Sequence, residues 1–357
     1  MREYYTRACS FIYGSEAKKL ISQKKALPLN SRKVIAFASI ELIRRKNKKI
    51  YSKLIKIENL YKLNSKIKNY VSADLKKIQS KKKFSKLNFT NEPLLMGVLN
   101  ITPDSFSDGG IYFNKKKAIE KAKFLVDSGA DIVDIGGEST RPGSKEINSS
   151  VEWNRIKKVI KFIRKKFPKL NISLDTRKSL VMKNGLMMKI NIINDVSGLK
   201  FDQNAIEVIK KFKSPFIIHH MQGKPQAMQN NPKYNNVLLD IYDFFEKKIN
   251  FLKKNNVKIN NIILDPGIGF GKNLKHNLML MSKISLFHSL GFPLMIGTSR
   301  KKFINQISEK YDTKERIGGT LSSVLYTLSQ GVQIFRVHNV REAKQGILVF
   351  KKLLLNQ

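Results

Sequence analysis

From residue 94 onward the chain repeats one pattern: a short apolar run, a break into polar chemistry, then a stretch with apolar positions three and four residues apart. The runs are LLMGVLN (94–100), DIVDIGG (131–137), NISLDT (171–176), INIINDVSG (190–198), PFIIHHM (215–221), NIILDPG (261–267), FPLMIGTS (292–299) and VQIFRVHN (332–339). Strands covered on both faces of a parallel sheet read as such near-continuous runs. Between them the spacing predicts amphipathic helices, with Ile156, Val159, Ile160 and Ile163 on one stripe and Leu238, Ile241, Phe245 and Leu252 on another. Gly129, Gly291 and Gly331 each stand just before the next strand, where a left-handed helix cap is expected. Eight strands alternating with eight helices predict an α/β fold, a (β/α)8 TIM barrel. An open doubly wound sheet is the alternative, but eight units over about 260 residues fit the barrel.

Residues 1–90 follow a different pattern and carry 24 Lys and Arg against 5 Asp and Glu. Within them VIAFASIELIRR (34–45) predicts one or two short strands, and IYSKLIKIENLYKL (50–63) a basic helix or a pair of strands. SKKKFSKLNFTNEP (80–93) reads as a linker. The expected division is a small basic N-terminal region of unknown role over 1–90 and a catalytic barrel over 91–357. Every candidate site residue lies in the second part, so a chain beginning near Phe89 is expected to keep the chemistry.

Composition narrows the functional classes. With 357 residues the chain is long enough for one large barrel plus a smaller unit. The lone Cys9 excludes a disulfide framework and cysteine-based metal clusters, which suits a reducing compartment. No apolar run approaches the roughly 20 residues of a membrane-spanning helix, and the first residues lack the apolar block of a secretory signal, so a cytoplasmic protein without membrane association is expected. A net charge of +41 points first to nucleic acid. Yet the excess is spread along the whole chain together with abundant Asn and Ile, as a compositional bias would spread it. Nucleic acid is therefore an unlikely partner, and small anionic substrates are favoured.

In barrels of this kind the chemistry sits at the C-terminal ends of the strands. Those ends carry Asn100, then Glu138, Thr140 and Arg141, then Asp175, Asn194 and Asp195, His219 and His220, Asp265, Ser299, Arg300 and Lys301, and finally Arg336 and His338. The carboxylates of Asp175 and Asp265, with Asn194, suit a flat heterocycle that presents amino and ring N–H donors. Lys301 adds a donor for a ring oxygen or nitrogen. Arg336 and His338, beside the SRK of strand seven, occupy the usual phosphate position of such barrels. GIGFGK (267–272) is not a nucleotide loop: position 272 is Lys where the dinucleotide fingerprint needs Gly or Ala, and the P-loop spacing fails at Pro266 and Asn273. It reads instead as a tight turn. His219 and His220 are adjacent and so point to opposite faces of a strand, which disfavours a shared metal.

Taken together, MGVLNITPDSFSDGG (96–110), GGESTRPG (136–143), IINDVSG (192–198), HMQG (220–223), LDPGIGFGK (264–272), SRK (299–301) and RVH (336–338) resemble the dihydropteroate synthase family over residues 94 to about 350. The resemblance implies transfer of a dihydropterin diphosphate onto 4-aminobenzoate with release of diphosphate. It implies that Asp175, Asn194, Asp265 and Lys301 hold the pterin, that Asn100 meets a magnesium ion (Mg2+), and that Arg141, Arg336 and His338 bind the anion. Thr140, Pro142, Phe106 and Ser299 would line or flank the aminobenzoate site, and Met221 and Phe270 belong to the substrate-binding set. The catalytic roles fall on Lys301, Arg336, His338 and Asp175. A homodimer is also implied. No paired nucleophile and base is evident, which agrees with a dissociative substitution, and the loops 102–113 and 141–150 read as lids. A pterin-binding methyltransferase is the alternative activity.

Overall fold

The computed structural model describes residues 2–47, 49–82, 84, 87, 93–102, 111–139, 144–223, 228–309 and 312–356. The chain opens with β1 (Tyr4–Tyr13), α1 (Gly14–Ser22), β2 (Leu27–Leu29), β3 (Arg32–Lys46), β4 (Lys49–Lys56) and α2 (Ser65–Gln79). The eight parallel strands follow as β5 (Leu94–Asn100), β6 (Ile132–Gly136), β7 (Asn171–Asp175), β8 (Ile192–Asp195), β9 (Phe216–His219), β10 (Ile262–Asp265), β11 (Met295–Ile296) and β12 (Ile334–Val337). The connecting helices are α3 (Ile111–Asp127), α4 (Ser149–Lys166), α5 (Ser179–Met187), α6 (Ala205–Phe212), α7 (Val237–Lys254), α8 (Leu274–Ser282), α9 (Lys302–Ser308), α10 (Ile317–Ser329) and α11 (Val340–Leu355).

The strands pair in the order β10-β9-β8-β7-β6-β5-β12-β11. The Leu264 N–H donates to Pro293 O at 3.0 Å and Leu264 bridges Leu294 in parallel, which brings the two ends of that sheet together as a nearly closed barrel. The expected barrel is therefore present. Alternation is not strict, because strand seven is followed by both α9 and α10, and a 3₁₀ helix over Ile284–Leu290 follows α8. Asn148, Asn236 and Asn273 cap α4, α7 and α8 by accepting from a backbone amide in the first turn. The expected left-handed glycines are found at Gly129, Gly291 and Gly331.

The barrel interior is layered. Leu94, Met96, Ile132, Ile192, Ile217, Ile263, Met295 and Ile334 form its lower, apolar layer, and Phe84 joins them with no exposed surface. The stretch expected to be a linker thus supplies a core residue. Its signal was hidden because one Phe among lysines shows no periodicity.

Residues 2–79 form a separate sheet and helix pair. The predicted short strands are one 15-residue strand, β3, antiparallel to β1, β2 and β4. One face of this sheet packs on α2 through Tyr4, Ala8, Phe37, Ile40 and Ile55 against Val71, Leu75 and Ile78. Tyr5 and Ile43 belong instead to the core of the barrel. There the Tyr5 hydroxyl donates to Asp243 at 2.7 Å, and its ring meets Tyr242 edge-on at 5.1 Å. Arg45 pairs with Asp240 at 2.9 Å and Asp243 at 3.0 Å, and Arg2 with Glu246 at 3.1 Å. On β3, Glu41 accepts from Lys283 of the barrel at 3.0 Å. The basic N-terminal region therefore spends part of its charge on barrel carboxylates. No helix among the described residues is long and apolar enough to cross a membrane.

Candidate active site

One rule places most of the site. In the strands, the residue two positions after a lower-layer apolar side chain points into the same interior one level higher. From Ile132 this gives Asp134, from Ile192 Asn194, from Ile217 His219, from Ile263 Asp265 and from Ile334 Arg336. In the β6–β7 register Gly136 lies beside Asp175, and in the β7–β8 register Asp175 lies beside Asn194. The apolar floor thus carries a ring of acids, amides and cations, all reached from the open end.

Arg336 organises this ring. Its Nε donates to Asp134 Oδ2 at 2.7 Å and its Nη2 to Asp175 Oδ2 at 2.8 Å, while Asn194 Nδ2 donates to Asp134 Oδ2 at 3.1 Å. One guanidinium serves two buried carboxylates. Burial pushes the Asp175 carboxyl up to about 8, with Arg336 opposing that rise. Asp134 Oδ1, Asp175 Oδ1, Asn194 Oδ1 and the nearby Ser173 Oγ are buried and have no hydrogen-bond partner in the protein. Buried acceptors are costly to leave unpaired, so three acceptor oxygens on one level suit a ligand with several N–H donors.

Lys301, Asp265, His219 and Phe270 form a second group on the adjoining wall. Asp265 Oδ1 accepts the Gly267 N–H at 2.8 Å, and its carboxyl is raised by burial against the opposing charge of Lys301. The Lys301 ammonium donates to Ile268 O and lies 4.3 Å from the centroid of the Phe270 ring. Phe270 in turn meets His219 edge-on at 4.5 Å. The backbone of the turn makes this approach possible. Gly269 has φ +80° and an added Cβ would lie 2.8 Å from Lys301 Cδ; at Gly267, φ +69°, a Cβ would lie 2.0 Å from His220 O. The glycines of GIGFGK therefore serve close packing at a tight turn, as the sequence implied.

Desolvation pushes Lys301 down to about 7, so at pH 8 the amine is mostly neutral. A ligand oxygen that accepts from it favours the ammonium and draws in a proton. At pH 8, calorimetry in buffers of different ionisation enthalpy is expected to show about one more proton taken up per dihydropterin diphosphate bound by the wild type than by Lys301→Met. Identical proton uptake by both proteins would remove Lys301 from the site.

Ser299 and His338 meet at the same rim: the His338 N–H donates to Ser299 Oγ at 3.2 Å, and His338 Nδ1 lies 3.0 Å from that oxygen. Asn100 stands at the top of β5, where a Cβ on Gly136 would come within 3.4 Å of its Oδ1 and 3.5 Å of Asp175 Cβ. Met221 follows directly after the end of β9 and is half-buried. Phe106, Thr140, Arg141 and Pro142 lie outside the described residues, as does most of the first loop read as a lid. Asp195 turns away from the ring, with its carboxylate accepting the Ser197 and Leu199 amides at 2.7 and 3.0 Å. His220 points outward as expected and meets buried Lys272, whose Nζ lies 3.0 Å from His220 Nδ1. Asp134 was missed by reading strand ends, because it sits inside its apolar run. The two-residue step from Ile132 would have found it.

Comparison with known proteins follows the same lines. Residues 96–338 match the family model described as pterin binding enzyme. The dihydropteroate synthase of Escherichia coli K12 is 37% identical over 264 residues, 74% of this chain and 93% of the relative. The crystal structure of Yersinia pestis dihydropteroate synthase with a sulfonamide drug complex aligns with a TM-score of 0.71 at 36% identity, over 75% of this chain and 96% of that one. Dihydropteroate synthase of Xanthomonas albilineans with 4-aminobenzoic acid aligns with a TM-score of 0.70 at 30% identity, over 75% and 94%. The barrel of this chain thus matches these enzymes nearly end to end, and the family match leaves residues 1–95 outside it. The chain belongs to the pterin-binding enzyme family, among the dihydropteroate synthases.

Proposed function

We propose that this chain condenses (7,8-dihydropterin-6-yl)methyl diphosphate with 4-aminobenzoate, giving 7,8-dihydropteroate and diphosphate for tetrahydrofolate biosynthesis. The observation that carries the reading is the ring of unpartnered acceptors, Asp134 Oδ1, Asp175 Oδ1 and Asn194 Oδ1, around Arg336. A pterin edge presents amino and ring N–H groups that such acceptors would take. Asp265 and Lys301 face the adjoining wall, where a carboxylate and an amine would meet a ring N–H and a ring oxygen, and Met221 and Phe270 cover the ring with apolar surface.

Asp175, Lys301, Arg336 and His338 carry the catalytic roles in this reading. Arg141, Arg336 and His338 take the departing diphosphate, with Thr140, Pro142, Phe106 and Ser299 around the aminobenzoate. In a dissociative substitution the carbon–oxygen bond to diphosphate breaks first, the pterin spreads the resulting positive charge, and the aromatic amine then attacks and gives up a proton. Side chains then contribute by position and by charge stabilisation of the leaving group. A neutral Lys301, reached near pH 7, would also place a proton acceptor at the ring.

The donors present fit Mg2+ in one way. Among the described residues no group of three or more His, Cys, Asp and Glu is placed to hold a metal ion. A single carboxamide oxygen, that of Asn100, suits a magnesium ion whose other positions are phosphate oxygens and water. When bound there, the ion would neutralise charge on the diphosphate.

We further read the protein as cytoplasmic, with small-molecule substrates, no nucleic-acid or membrane partner, and a basic N-terminal region over 1–90 attached to a catalytic barrel over 91–357. A homodimer through barrel helices is supported by exposed Tyr326 on α10 and exposed Leu348, Val349 and Leu353 on α11. Product chromatography tests the activity: dihydropteroate is expected from dihydropterin diphosphate plus 4-aminobenzoate, and no methyl transfer from methyltetrahydrofolate. Methyl transfer without dihydropteroate would favour the pterin-binding methyltransferase instead.

A further inference from the structure

Glu138 ends the second barrel strand's motif, is almost fully buried, and takes no part in the acceptor ring. Its carboxylate is nevertheless filled with donors. Oε1 accepts from the Ile147 N–H at 3.0 Å and from Lys178 Nζ at 2.9 Å, and Oε2 accepts from Arg177 Nε at 3.0 Å. Lys178 also reaches the fully buried Glu152 of α4 at 2.7 Å, and Arg177 reaches Glu146 at 3.4 Å. Arg177 and Lys178 belong to the turn that begins just after Asp175. Glu138 and Ile147 stand at the two ends of the segment between β6 and α4.

The same two ends are tied in other ways. Ser144 Oγ donates to Ser139 O at 2.6 Å, and Arg155 Nη1 donates to Gly137 O at 2.8 Å. Gly137 lets the first turn of α4 lie close, since a Cβ there would sit 2.8 Å from Glu152 O. The Arg177 guanidinium is stacked 3.9 Å from the Phe201 ring centroid. Buried ion clusters are often matched in stability by apolar packing of the same volume. What this one supplies beyond stability is direction: a carboxylate with three fixed donors sets the separation of Ser139 and Ile147 relative to the turn behind Asp175.

We propose that Glu138 is a positioning residue for the aminobenzoate half of the site, fixing through Arg177, Lys178 and the Ile147 amide the ends of the segment that carries Thr140, Arg141 and Pro142. The proposal rests on the reading of those three as substrate-binding residues. Asp175 is held independently by Arg336 and by its register with Asn194. Pterin binding should therefore be spared.

The test uses the full chain, with steady-state kinetics in both substrates, calorimetry of dihydropterin diphosphate with Mg2+, and thermal unfolding of each variant. Glu138→Gln keeps the shape but loses the charge that holds two cations. It is expected to raise the KM for 4-aminobenzoate by about tenfold or more, with the Kd for dihydropterin diphosphate changed by less than about threefold. Arg177→Met, which leaves Glu138 and Lys178 in place, should move the same KM in the same direction by less. An unchanged KM in both variants, or losses of both substrates in step with a fall in Tm, would overturn the proposal. Pro142→Ala separates the two claims. If it alters the KM for 4-aminobenzoate and Glu138→Gln does not, the positioning role is wrong; if Pro142→Ala alters nothing, the assignment of residues 140–142 is wrong.

Discussion

Arg336→Met is expected to lower kcat/KM by two to three orders of magnitude while leaving the barrel folded. Arg336 is the one cation that contacts both Asp134 and Asp175 among the described residues, at 2.7 and 2.8 Å. Removing one partner of a buried ion pair costs roughly 3–5 kcal/mol, and each 1.4 kcal/mol is about a factor of ten. The protein can escape part of that cost by protonating a carboxylate. Asp175 is poised to do so, because burial already holds its carboxyl up near 8. Protonation, however, turns an acceptor into a donor and removes one oxygen from the set that would receive a pterin N–H. The loss should therefore appear in substrate binding and turnover more than in Tm. Arg336→Lys should recover only part of the rate, since an ammonium cannot span two carboxylates in the fixed fork of a guanidinium. Wild-type turnover in a folded Arg336→Met protein would mean that the acceptor ring is not the site.

Phe84→Ala carries the largest expected effect on stability. Phe84 has no exposed surface and closes the apolar layer formed by Met96, Ile132, Ile192, Ile217, Ile263, Met295 and Ile334. Truncating a buried Phe costs about 3–5 kcal/mol, which for a protein of this size is on the order of 10 °C in apparent Tm. A chain beginning near Phe89 loses that ring and also uncovers the barrel surface now packed against Tyr5, Ile43 and Arg45. It is expected to be less stable than the full chain and prone to aggregate, although every site residue is retained. Thermal unfolding of the two proteins beside the full chain decides the matter. An unchanged Tm in Phe84→Ala would show that the barrel floor closes without it.

The residues differ in how far the sequence alone revealed them, and the reason is periodicity. Strands buried on both faces read as apolar runs, and their polar ends stand out against them, so Asn100, Asp175, Asn194, Asp265, Lys301 and Arg336 could be named and are on or beside the same rim. Asp134 escaped because an interior polar residue inside an apolar run looks like an interruption. Only the two-residue step of the pleat shows that it shares an interior with Arg336. Phe84, and the docking of Tyr5 and Ile43 onto α7, depend on contacts between segments far apart in sequence, which leave no local pattern. The Glu138 cluster is hidden for the same reason: its cations lie about forty residues away, at Arg177 and Lys178. The site residues Phe106, Thr140, Arg141 and Pro142 were named from family motifs and lie outside the described residues.

The central claim is that the acceptor ring and the cationic rim together exchange diphosphate for 4-aminobenzoate on a dihydropterin. Diphosphate release, measured on the full chain with each substrate withheld in turn, addresses it most directly. Release is expected only when dihydropterin diphosphate is present, with 4-aminobenzoate raising the rate strongly and dihydropteroate accumulating one for one with diphosphate. Release that is indifferent to 4-aminobenzoate, or that proceeds without dihydropteroate, would contradict the account and leave the barrel as a diphosphate hydrolase.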